Sequence, residues 1–130
     1  LNNWATFIGR DGSAASDVLS DFYLQKEDIN DRLRIDFRTA SGARAQLDAN
    51  FVMQPNQWYH VAVVSNGTTL SMYVDKNDSL GYQSMGSTVL PGASPAQNAL
   101  AVTGVNGVNW TFGRGWFNGL FVDHIAGNLD

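Results

Sequence analysis

Between Arg32 and Arg38 the chain reads Arg-Leu-Arg-Ile-Asp-Phe-Arg, an unbroken alternation of charged and apolar residues. A period of two sends Leu33, Ile35 and Phe37 to one side of an extended backbone and the charges to the other, which no helix can do. The segment therefore predicts a half-buried strand, and a half-buried strand requires a sheet with one dry face and one wet face. Phe22 to Lys26 reads as a strand before it, joined through the polar turn Glu27 to Asp31. Arg44 to Asn50 reads as one after it, across the turn Ala40, Ser41, Gly42. Further on, the aromatic and β-branched run Trp58 to Ser65 and the run Thr69 to Asp75 flank Asn66, Gly67 and Thr68, the most secure hairpin in the chain. Strands are also predicted over Leu80 to Leu90, Trp110 to Arg114 and Phe121 to Ile125. Pro91 to Gly107, rich in Pro, Gly, Ala, Ser and Asn, reads as a long surface excursion. No stretch of ten residues sustains a 3.6-residue apolar period, so helix is limited to a turn or two. Short strands punctuated by turns make this an all-β, antiparallel sandwich or barrel.

The 130 residues suit one domain, and 44% hydrophobic residues supply a core. With 15% charged residues and a formal net charge of −4, no basic stripe is available to a phosphate backbone, so nucleic acid is not an expected partner. No apolar run approaches the roughly 18–20 residues of a membrane span. The absence of Cys excludes disulfides, thiolate metal sites and thiol nucleophiles. Asn66, Asn77 and Asn109 each open an Asn-x-Ser/Thr sequon, which makes them glycosylation candidates in a secreted protein and, equally, turn residues. The chain begins at Leu1 with no starting Met or leader pattern, as expected of a processed chain or a piece of a larger one.

Several stretches, taken in order, resemble the laminin G-like members of the concanavalin A-like lectin/glucanase superfamily. They are Ile8 to Gly12, Asn56 to Ala62, Leu70 to Asp75, Phe112 to Gly115, Phe121 to Asp123 and Gly127 to Asp130. The resemblance spans nearly the whole chain, residues 1–130 as one laminin G-like domain, and implies a jelly-roll β-sandwich. It also implies that the first and last strands of the sandwich fall outside these residues, so that the domain belongs to a larger protein and leaves a core-facing strand position unfilled.

A glycosidase of that superfamily needs two facing carboxylates. Glu27 is the sole Glu, it sits among turn acids, and Asp36 lies between Arg34 and Arg38 on a polar face where an ion-pair row is expected, so no catalytic residue is assigned. His60 and His124 have no partner in sequence that would make either a general base. For sugar, the useful groups are exposed aromatics flanked by planar polar side chains. Trp116 and Phe117, in the tight glycine-flanked turn Gly115 to Gly119, cannot both point inward, and Arg114 and Asn118 stand beside them. Arg10 and Asp11 are expected near the same rim. The competing reading is that Trp116 covers a sheet edge. Trp4, Trp58 and Trp110 lie in strand patterns and are expected in or half in the core. The resemblance further implies a structural calcium with Asp130 as ligand, and Asp11 and Asp123 are secondary candidates, each equally a turn-capping Asp. The expected function is a non-catalytic carbohydrate-binding module of a secreted multidomain protein, its partner a glycan, and the resemblance implies a glycoside hydrolase as the parent protein. The alternative is a structural or adhesive module that binds neighbouring domains or chains.

Overall fold

The computed structural model describes residues 4–11, 21–101 and 109–129. Among them run ten strands: β1 (Ala5–Arg10), β2 (Phe22–Lys26), β3 (Arg32–Arg38), β4 (Arg44–Val52), β5 (His60–Ser65), β6 (Thr69–Asp75), β7 (Gln83–Val89), β8 (Trp110–Phe112), β9 (Gly115–Phe117) and β10 (Leu120–Val122), with a single helical turn α1 (Pro95–Asn98). They form a five-stranded sheet in the order β4-β3-β2-β1-β8, a three-stranded sheet β5-β6-β7 and the hairpin β9-β10, all antiparallel.

The alternation along β3 decides which face is dry. Leu33, Ile35 and Phe37 are buried with Ala45, Leu47 and Ala49 of β4, and they pack against Leu70, Met72 and Val74 of β6. A register shift between Met72 and Tyr73 makes Met85 of β7 an extra residue, and its side chain enters the same core. Gly86 beside it adopts φ 136°, a conformation that L side chains rarely take.

The two layers are unequal. β4 lies against β7 and β6, whereas β5 is the last strand of its sheet and has no backbone partner on its outer side among the described residues. A second register shift, between Thr6 and Ile8, makes Phe7 an extra residue of β1, and both Phe7 and Ile8 flank Leu24 on the dry side. This half of the core layer is only partly covered. Phe112 of β8 is 71% exposed.

The hairpins follow two turn chemistries. In β5-β6 only Gly67 takes a positive φ, and the Asn66 side chain stabilises the longer connection by accepting from the Thr68 and Thr69 amides and the Thr68 hydroxyl. The two-residue turn with both φ angles positive, Asn118 at 53° and Gly119 at 78°, is the one joining β9 to β10. The segment Gly115 to Gly119, expected as a tight turn, is thus strand β9 followed by the turn of a hairpin. The region from Pro91 is likewise less of an excursion than expected. Ser94 caps α1, and buried Asn98 donates to the carbonyls of Gly67 (2.8 Å) and Gly92 (3.1 Å), fastening Pro91–Ala101 to the β5-β6 turn. Residues 102–108 of that region lie outside the described ones.

Candidate functional site

The wet face of the five-stranded sheet is not left open. Tyr23 and Gln25 on β2 and Thr6 on β1 alternate away from the core, yet all three are buried, because β9-β10 folds over them. The attachment is specific. The Tyr23 hydroxyl donates to the Trp116 carbonyl, the Thr6 amide donates to the Asp123 carbonyl (2.8 Å), and the Thr111 hydroxyl donates to the Arg114 carbonyl (3.1 Å).

The hairpin stops short of β3, and between the two lies a cleft of about 360 Å³. Its floor is Tyr23, Gln25, Arg34 and Asp36, its hairpin side is Phe117, Val122 and Asp123, and Trp4 closes another side. The polar floor is held in place by ion pairs. Arg34 bridges Asp48 and Glu27 (3.0 Å to Glu27) and lies over the Trp4 ring at 5.2 Å, while Asp36 accepts from Arg44 Nε at 2.8 Å. Glu27 also accepts from Asn30 (2.9 Å), so the only Glu in the chain serves this framework.

Two carboxylates in the cleft are shifted upward, each by its own surroundings. Burial raises Asp36, opposed by Arg44 and Arg34. Burial also raises Asp123, opposed by His124 and reinforced by Asp28. Neither acid is shifted by the other, unlike a pair that shares one proton across a scissile bond. The Asp123 carboxylate makes no hydrogen bond or ion pair among the described residues.

The structure divides the residues expected to meet sugar. Phe117 is in the cleft and 45% exposed. Trp116 is half-buried and packs edge-on to Phe121, nearer the covering role than the platform role. Arg114 faces away from the cleft residues, in a two-pronged pair with Asp11 (both contacts 3.0 Å) and with its guanidinium 3.8 Å from the centre of the Phe121 ring. Asn118 is exposed and sets the hairpin turn. Arg10 does not join them. It turns to the opposite side of the sheet, near the Trp110 ring and donating to the Ala101 carbonyl at 2.9 Å.

Three tryptophans depart from expectation. Trp58 and Trp110 are 54% and 51% exposed, because each lies where the core layer is incompletely covered. Trp4 is half-buried on the polar side, against Arg34 instead of the apolar core. Sequence reading also passed over Tyr23, Gln25 and Arg34 as site residues. Their signal was present in the alternation of β2 and β3, which fixes them to one face, but not in anything that says what covers that face.

Asp130 lies outside the described residues. Among the described residues no three acidic or His side chains gather as a metal site. Calcium takes six to eight oxygens. Asp123 offers an unpartnered carboxylate, and the buried Asp28 Oδ1 also lacks a hydrogen bond, a donor chemistry that fits part of such a shell.

A laminin G-type family model, described as the concanavalin A-like lectin/glucanases superfamily, matches residues 1–124. The chain belongs to that superfamily. A search of curated proteins and a search of solved structures returned no match. A superfamily that holds carbohydrate-binding and adhesive modules gives the cleft two kinds of occupant to consider. The same sandwich carries unrelated activities, so the choice between them rests on the site and not on the fold.

Proposed function

We propose that this chain is a non-catalytic carbohydrate-binding module of a secreted multidomain protein, with the cleft between β3 and the β9-β10 hairpin as its sugar site. The observation that carries this reading is the convergence of Trp4 and Phe117 with Gln25, Arg34, Asp36 and Asp123 around one cleft of about 360 Å³. Apolar C–H faces of a pyranose stack on aromatic rings, and planar polar groups held by a framework meet its hydroxyls with little loss of side-chain freedom. Arg34 and Asp36 are held in this way by Asp48, Glu27 and Arg44. The two cleft acids Asp36 and Asp123 do not shift one another, and on this reading catalysis on a polysaccharide falls to a neighbouring domain of the parent protein.

The reading includes a structural calcium held through Asp130 with help from Asp123, and secretion, consistent with the sequons at Asn66, Asn77 and Asn109. The test is a glycan array followed by titration calorimetry on the best ligand, in calcium and then in chelator. Trp4→Ala is expected to weaken binding at least about tenfold, the loss of roughly 1.4 kcal/mol, whereas Phe112→Ala, on the opposite face, leaves it unchanged. Binding that survives Trp4→Ala and Phe117→Ala together would remove the sugar from this cleft. A structural or adhesive module is the second reading, and the edge of β5, which has no strand partner among the described residues, favours it.

A further inference from the structure

Arg34 is the one cation among the residues that line the cleft, and it is already shared between Asp48 and Glu27. Arg44 is held by Asp36. Arg32 and Arg38 lie on the same strand as Arg34 but do not line the cleft, and Arg38 is paired with Asp21. On the hairpin side stands Asp123, a half-buried carboxylate with no hydrogen-bond or ion-pair partner among the described residues. Burial raises its pKa, the exposed His124 opposes the rise and Asp28 adds to it. Neither Arg34 nor Arg44 is among the charges that act on it, so the floor of the cleft leaves this negative charge uncompensated.

A sugar hydroxyl can donate to such a carboxylate, but it leaves a charge in a half-buried place. An ammonium donates and neutralises it, and the pair gains as the ligand displaces water. Trp4 and Phe117 line the same cleft, and the faces of aromatic rings attract cations. A uronate or sulfate would instead meet Asp123 and Asp36 with like charge. Among sugars, the group that answers this arrangement is the ammonium of a 2-amino-2-deoxy sugar. Given the sugar reading of the cleft, on which this rests, we propose that the cleft selects sugars with a free amino group over their N-acetylated, hydroxyl and acidic counterparts, and that Asp123 sets the preference.

The test compares β-linked tetramers of glucosamine, N-acetylglucosamine and glucose, which differ only in the group at the second carbon. Titration calorimetry is run at about pH 6, where an aliphatic amine is charged, and in chelator, so that no metal ion shares the Asp123 carboxylate. The glucosamine tetramer is expected to bind at least about tenfold more tightly than the other two. In Asp123→Asn that preference should fall below about twofold. In Asp78→Asn it should persist, because this substitution removes the same charge from an exposed position on the β6-β7 connection, in the other layer. A preference that survives Asp123→Asn, or that Asp78→Asn also abolishes, would mean a general attraction of cations to an acidic protein and overturn the proposal. Equal binding of the three tetramers, all weakened by Trp4→Ala, would overturn the amino-sugar preference and leave the sugar site standing. Absence of binding by all three would overturn the preference as well, while the glycan array tests the sugar reading separately.

Discussion

Asp123 combines two local costs. Its φ of 56° lies in the left-handed region, which Asn tolerates best after Gly, and its half-buried carboxylate has no hydrogen-bond partner among the described residues. Burial, with Asp28, raises its pKa, so the folded protein holds this proton to higher pH than the unfolded chain does. Ionisation then costs stability as pH rises from the ordinary carboxylate value through the folded one, and above that the whole cost is present. Asp123→Asn in chelator should therefore unfold at higher denaturant concentration than the parent at pH 7, the difference narrowing as pH falls below the ordinary carboxylate range to the small pH-independent gain from the left-handed backbone. An unchanged or lower midpoint at pH 7 would mean that the charge stabilises the fold. Asp31 behaves in the opposite sense. Its hydrogen bond from Lys26 lowers its pKa, so its contribution is present at neutral pH and is lost as pH falls through the lowered value. Asp31→Asn is expected to lose stability at pH 7 and to match the parent in acid. Neither sign was legible in the sequence, where Asp31 and Asp123 are alike in type and both lie beside turns.

At the scale of elements, the β9-β10 hairpin converts a polar sheet face into a cleft, and its approach depends on Gly115. A Cβ there would sit 2.7 Å from the Thr6 hydroxyl and 3.3 Å from the Asp123 carboxylate, and Thr6 is fully buried. Gly115→Ala is expected to lift the hairpin, destabilise the fold by about 1–3 kcal/mol and weaken sugar binding by widening one side of the cleft. Thermal unfolding and calorimetry would check both, and a variant with parental stability and affinity would show that the hairpin does not need this contact. The hairpin had a sequence signal in Asn118-Gly119, the pair best suited to a two-residue turn with both φ angles positive. Its three-residue strands are too short to show alternation, which is why the segment reads as a turn. Longer strands were legible for the converse reason. β3 matches its expected span residue for residue, and β2 does the same.

For the whole molecule, the core is one-sided, and substitutions should report it. Met72, fully buried between the layers, should cost about 2–5 kcal/mol as Met72→Ala, whereas Phe112→Ala should stay within roughly 0.5 kcal/mol because the ring is already mostly in water. Similar losses at the two positions, measured by denaturant unfolding, would mean that Phe112 is covered in solution. The sequence by itself determined the all-β class, the antiparallel pairing of β2 with β3 and of β5 with β6, and the side of each long strand that faces the core, because a two-residue period and local turn chemistry act over a few residues. Only the tertiary structure decided that Trp4, Tyr23, Asp36 and Phe117 share a cleft, that Arg10 and Arg114 part to opposite sides, and that Trp58 and Trp110 stay exposed. Those outcomes depend on which layer covers which strand, and coverage is set by contacts between residues up to about a hundred positions apart, beyond the reach of any local pattern.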